Sequence, residues 1–106
     1  MRRAIKPEAG VQRAILDLLA AEHVLAFRMN SGVLKTERRF VRFGVPGMAD
    51  VLAFPGPVLW IECKSDRGRQ TAEQASFQRM VESHGHAYLL ARAPEDLLRW
   101  LRASNP

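Results

Sequence analysis

Two acids and a lysine stand where an apolar stretch has little use for charge. Asp50 opens the run Val51–Phe54, and Glu62-Cys63-Lys64 closes the run Val58–Cys63, with Pro55-Gly56-Pro57 between them as a turn signal. Strand propensity alone disfavours all three charges. Side chains alternate along a strand, so Glu62 and Lys64 share a face, about 6.6 Å apart along the chain, and Cys63 points away into a core. Pairing the two runs as a hairpin brings Asp50 beside Glu62. Two converging carboxylates are costly unless something offsets their repulsion and desolvation. A hard divalent cation, Mg²⁺ or Mn²⁺, does so, because it takes oxygen ligands and needs only one or two protein carboxylates, water and substrate phosphate completing its shell. The backbone carbonyl of Cys63 offers a further oxygen. Lys64 alongside can orient an attacking water and neutralise charge developing on a phosphate.

Composition sets the frame around this cluster. A chain of 106 residues supports one domain with one core. With 47% hydrophobic and 25% charged residues it has ordinary globular proportions, which exclude wholesale disorder. The formal charge of +5 favours a polyanionic partner. A single cysteine cannot form an internal disulfide, and no apolar run follows Met1-Arg2-Arg3 as a secretory signal requires. No segment is apolar enough for a membrane span, so a cytoplasmic protein is expected.

The elements that must position the cluster follow from periodicity. Pro7-Glu8 opens a helix whose buried stripe is Val11, Ile15, Leu18 and Leu19, with Glu8 on the edge of the inward face as a helix-terminus carboxylate and Glu22 facing solvent near the end. Val24–Met29 reads as the first strand, stopped by the turn signal Asn30-Ser31-Gly32. Arg38–Phe43 alternates without a cleanly apolar side and reads as a partly exposed ribbon. Its Arg38, Arg39 and Arg42, with Lys35, form the densest basic stretch, either a solvated face or a contact for phosphate. Gly44–Gly47 is a loop that lets the backbone approach substrate or turn sharply into Asp50. Ser65–Gln70 is a polar loop. Thr71-Ala72-Glu73-Gln74 fits a capping box, its helix running through Phe77, Met80 and Val81 to Ser83 and ending at Gly85. Ala87–Ala91 reads as a buried strand reached by a parallel crossover, with Tyr88 as a core aromatic. Pro94 opens a last helix with Leu97, Leu98, Trp100 and Leu101 on its apolar face, and Ser104-Asn105-Pro106 reads as a tail. His84-Gly85-His86 is a turn rather than a metal site, and His23 faces solvent.

The acidic and lysine positions resemble the PD-(D/E)xK nuclease superfamily, with Asp50 followed twelve residues later by Glu62-Cys63-Lys64. A closer resemblance is to the VRR-NUC family of virus-type replication and repair nucleases. It rests on Asn30-Ser31-Gly32, Gly47-Met48-Ala49-Asp50, Glu62-Cys63-Lys64-Ser65, the Arg67-Gly68-Arg69 loop and Gln74, and spans Glu8 to about Leu90. The resemblance implies a single nuclease domain over 1–106 with a restriction-endonuclease-like αβββαβ core, a mixed central sheet flanked by helices. It implies metal-dependent DNA phosphodiester hydrolysis leaving a 5′-phosphate and a 3′-hydroxyl, with Asp50, Glu62 and the Cys63 carbonyl on the metal and Lys64 assisting attack. By the same resemblance Glu8 reaches the metal site, to a second ion or an outer-shell water, and Gln74 sits near the water or phosphate as an alternative to capping. Arg67 and Arg69 join Lys35, Arg38, Arg39 and Arg42 as DNA-binding candidates. Short stand-alone members of similar families act as homodimers on branched DNA, which makes the Holliday junction the expected substrate, its near two-fold arms matching a two-fold dimer. A flap or restriction-like nuclease, and a non-catalytic DNA-binding module on the same fold, are the competing readings.

Overall fold

The computed structural model describes residues 7–29, 32–35, 40–43 and 45–104. In chain order the elements are α1 (Glu8–Ala21), β1 (Leu25–Arg28), β2 (Gly32–Lys35), β3 (Phe40–Phe43), β4 (Val51–Phe54), β5 (Leu59–Cys63), α2 (Ala72–Ser83), β6 (Ala87–Ala91) and α3 (Pro94–Ser104). Four strands form a mixed sheet in the order β1-β4-β5-β6. β4 is antiparallel to both β1 and β5, while β6 runs parallel to β5, reached through α2. Among the described residues β2 and β3 pair with each other, as an antiparallel hairpin inserted between β1 and β4. The ribbon expected over Arg38–Phe43 is β3 in its described part, and its partner β2 is a further strand. Arg38 and Arg39, like Asn30, lie outside the described residues.

Helix ends follow local chemistry. Pro7 occupies the N-cap of α1 with extended backbone, and its carbonyl accepts from the Gly10 and Val11 amides, 3.1 Å each. α1 ends with His23 left-handed at φ 57°, and the Val24 amide returns to the Leu19 carbonyl at 2.9 Å. That is the reciprocal C-terminal closure usually built on glycine. α2 closes the same way with Gly85 at φ 81° and the His86 amide on the Val81 carbonyl at 3.1 Å. His84-Gly85-His86 is therefore the turn expected of it.

Strand alternation divides the sheet into two packed faces. Val51, Ala53, Leu59, Ile61, Cys63 and Ala91 meet Val11, Ile15 and Leu19 of α1 and Leu97 of α3 in one fully buried cluster. At about 25 cal/mol per Å² this apolar burial is the main stabilising contribution to the fold. On the opposite face Trp60 and Tyr88 pack on Phe77 of α2, and Ala49 and Val81 complete a smaller cluster. The N-terminal stripe is Val11, Ile15 and Leu19; Leu18 only packs against it. β6, expected to be buried, is half-buried except at Ala91, because among the described residues it pairs with β5 alone and forms a sheet edge. Ser104 belongs to α3 rather than to a tail.

Candidate functional site

The charged residues singled out above meet at the end of β5. Asp50 precedes β4, and its Oδ2 accepts the Cys63 amide at 2.7 Å, closing the β4–β5 pair with a side chain where the strand ladder stops. A strand residue's N–H and C=O point to the same side. The Cys63 carbonyl is therefore directed to the Asp50 side of β5. Cys63 itself is buried in the helix-facing core, as alternation requires, and burial pushes its thiol pKa up.

Glu62 is the unusual residue. Only 1% of it is exposed. Its Oε2 accepts from Gln74 Nε2 at 2.9 Å and lies 3.6 Å from Lys64 Nζ, while its Oε1 is buried with no hydrogen-bond partner among the described residues. An unpartnered buried acceptor costs about 1–3 kcal/mol, and more when charged. Burial first, and the neighbouring Asp50 carboxylate second, push the Glu62 pKa up to about 8 against the pull of Lys64. Lys64, 7% exposed, sits between two acids, since its Nζ is also 3.7 Å from Glu8 Oε1. The Glu8 side chain is 52% exposed, so the cluster reaches solvent along the start of α1.

Gln74, expected either to cap α2 or to lie near the water or phosphate, caps α2, and the free end of its side chain bonds Glu62. Gln74 Oε1 accepts the Thr71 amide at 2.9 Å, its own amide donates to Thr71 Oγ1 at 3.1 Å, and its Nε2 is left for Glu62. The two ends of one side-chain amide remove the competition. The close approach that Gly47 permits is to α2 rather than to open solvent. At φ 81° a Cβ there would overlap the Glu73 carbonyl and stand 2.7 Å from the Gln74 nitrogen. Gly47→Ala is therefore expected to cost more than about 1 kcal/mol in chemical denaturation and to displace the segment leading into Asp50.

The loop after β5 is held from below by a residue that sequence reasoning missed. Arg92 Nη1 donates to the carbonyls of Ser65 (2.8 Å), Asp66 (3.5 Å) and Gly68 (2.6 Å). Gln70 Nε2 anchors the far end of the loop on Gln78 Oε1 (2.8 Å) and the Tyr88 hydroxyl (3.2 Å). Arg67 and Arg69 are exposed on this pinned segment. An arginine directly after an apolar strand was the available signal, but its targets are main-chain carbonyls, which no side-chain pattern announces. Arg92→Ala should lower stability by about 2 kcal/mol and speed amide exchange at Gly68, whose amide now bonds the Ser65 carbonyl at 3.2 Å. Unchanged exchange would show that the arginine does not hold the loop.

Of the other basic candidates, Lys35 and Arg42 lie on the β2–β3 hairpin, and Arg38 and Arg39 fall outside the described residues. Among the described residues no group of three His, Cys, Asp or Glu side chains converges as a ready-made ligand set. Glu8 accordingly joins the cluster through Lys64 rather than as a third convergent acid. Asp50 and Glu62 offer hard carboxylate oxygens near the end of β5, with the Cys63 carbonyl directed to the Asp50 side, and oxygens of this kind suit an ion content with few protein ligands. Among the described residues no helix is long and apolar enough to cross a membrane.

The architecture is mixed α/β, a four-stranded mixed sheet with α1 and α3 on one face and α2 on the other. No protein-family model matches the chain, and searches of curated proteins and of solved structures return no match.

Proposed function

We propose that the protein is a metal-dependent DNA endonuclease with a restriction-endonuclease-like core of the VRR-NUC type. The observation that carries this reading is Glu62: a buried carboxylate with one oxygen lacking a hydrogen-bond partner among the described residues, close enough to Asp50 to feel its charge, with a lysine at 3.6 Å. Nothing in the packing of the fold requires that arrangement, and its cost is offset if a cation sits there. The order α1, β1, β4, β5, α2, β6 is compatible with αβββαβ when the β2–β3 hairpin is an insertion.

Asp50, Glu62 and the Cys63 carbonyl would hold Mg²⁺ or Mn²⁺, with Glu8 at the outer edge. Such an ion supplies Lewis-acid polarisation of a phosphate oxygen and eases ionisation of water. The chain's own residues do the rest. The Cys63 amide fixes the Asp50 carboxylate, and Gln74 fixes Glu62 from the N-terminus of α2. Lys64 Nζ, held between Glu62 and Glu8, orients the attacking water and stabilises charge gathering on the phosphate. Arg67 and Arg69 steer the backbone of the nucleic acid to the site.

The substrate we propose is branched DNA, with a four-way junction cut by a homodimer as the favoured case. Cleavage of a four-way junction, a flap and a matched linear duplex, with and without Mg²⁺ and over a range of protein concentrations, tests this. Nicking only with the ion, and first on branched DNA, is expected. Binding that never leads to a nick in any metal would leave a non-catalytic DNA-binding module.

A further inference from the structure

The sheet face that carries Glu62 is only half covered. Trp60 shares that face and packs on Phe77 of α2, with ring centroids 5.1 Å apart. Leu52 is the register partner of Trp60, and Phe27 that of Leu52, so all three point the same way. Leu25 and Phe54, themselves register partners, lie on this face as well. Over β5 and β6 the face is roofed by α2; over β1 and β4 no described helix covers it. There Leu25 is 61% exposed, Phe27 50% and Phe54 39%, the two phenyl rings packed edge to face at 6.2 Å.

Three exposed side chains on an open sheet present roughly 300 Å² of apolar surface, from the size of aromatic and aliphatic side chains. A stable interface between copies needs about 800 Å² per partner. A single nucleobase is the better match to a patch of that size, since a ring's open face stacks on a base of any sequence. Position and charge favour it too. Phe27 stands opposite Leu52, two residues from Asp50, which puts it roughly 8 Å from that carboxylate's backbone given strand rise and spacing. That is about two stacked nucleotide steps. The chain carries a formal charge of +5.

We infer that Phe27, backed by Phe54, is a stacking platform for an unpaired base about two nucleotides from the phosphate presented to Asp50 and Glu62. The site therefore takes DNA whose stacking is interrupted, at a flap or at the exchange point of a junction, in preference to continuous duplex. This rests on the nuclease reading for its placement, but its binding test does not need cleavage.

The probes are an oligodeoxynucleotide flap carrying 2-aminopurine at the first unpaired position and the same strand in a continuous duplex, both in EDTA. With the unaltered protein, 2-aminopurine fluorescence in the flap should change on binding. Phe27→Ala and Phe27→Leu should each weaken flap binding roughly ten- to a hundred-fold with duplex binding nearly unchanged, and Phe27→Trp should restore it. Leucine keeps the apolar area and discards the ring, so full flap affinity in Phe27→Leu overturns the inference. So does an equal loss on both probes, or a loss that follows dissociation of a dimer in sedimentation, which would make the face an interface between copies. Flap binding as expected from a protein that cuts nothing would retain the platform and remove the nuclease.

Discussion

Replacing Glu62 by glutamine is expected to abolish cleavage and, at the same time, to make the metal-free protein more stable at alkaline pH. The two effects have one cause. In the folded chain burial and Asp50 hold the Glu62 pKa at about 8, against an ordinary value of 4.5. Between those values the folded state binds a proton that the unfolded state has released. Stability contributed by that proton is complete below about pH 4.5 and is lost as pH rises through 8, by roughly a few kcal/mol at most. Glutamine has no charge to bury, and its carbonyl can still accept from Gln74. Denaturant midpoints of Glu62→Gln should be flatter than those of the unaltered protein across pH 5–9 and higher at the alkaline end. Mg²⁺ should raise the midpoint of the unaltered protein by mass action and leave that of the variant where it is. A side chain kept only for packing would give the opposite pattern, with the variant less stable at every pH.

Lys64→Met is the second large effect. Methionine keeps most of the apolar stem that runs past Gly68, where a Cβ on the glycine would lie 3.3 Å from Lys64 Cδ. It removes the ammonium between Glu62 and Glu8. On the proposed nuclease reading, losing that charge is expected to lower kcat by about 10²–10³, with equilibrium DNA affinity almost unchanged. Lys64 is also the neighbour that draws the Glu62 pKa down, so its removal raises that pKa further. Residual cleavage should therefore need a higher pH than cleavage by the unaltered protein, the rising limb of the rate profile moving to the alkaline side. If the variant instead binds DNA poorly and turns over normally, Lys64 is a phosphate contact and not part of the chemistry.

Much of the site is legible because it is local. Period-two alternation put Glu62 and Lys64 on one face and Cys63 in the core, and both statements describe the folded chain. The capping box at Thr71–Gln74 and the stop at Gly85 are likewise short-range. What could not be read depends on distant partners. Ala87–Ala91 has the apolar run of a buried strand, yet whether a strand lies inside a sheet or at its edge is decided by what pairs beside it. Gln74 was read as choosing between two tasks because a sequence does not show that Glu62 lies within reach of its free amide end. Arg92 escaped notice since it binds carbonyls 24 to 27 positions earlier. Gly47 was expected to let the backbone approach substrate or turn sharply into Asp50; it turns at φ 81°, and its missing side chain makes room for the backbone of α2, which lies far along the chain. The open aromatic face required knowing which half of the sheet α2 covers.

Calorimetric titration with Mg²⁺ or Mn²⁺ at pH 7, repeated in two buffers of different ionisation enthalpy, bears most directly on the shared-cation site. Metal ligands must be deprotonated to bind. With the Glu62 pKa near 8, saturable binding should release close to one proton per ion, fall toward none at about pH 9.5, and vanish in both Asp50→Ala and Glu62→Gln. Saturable binding that survives both substitutions, or no binding at millimolar metal with the unaltered protein, would contradict a cation held by these two carboxylates.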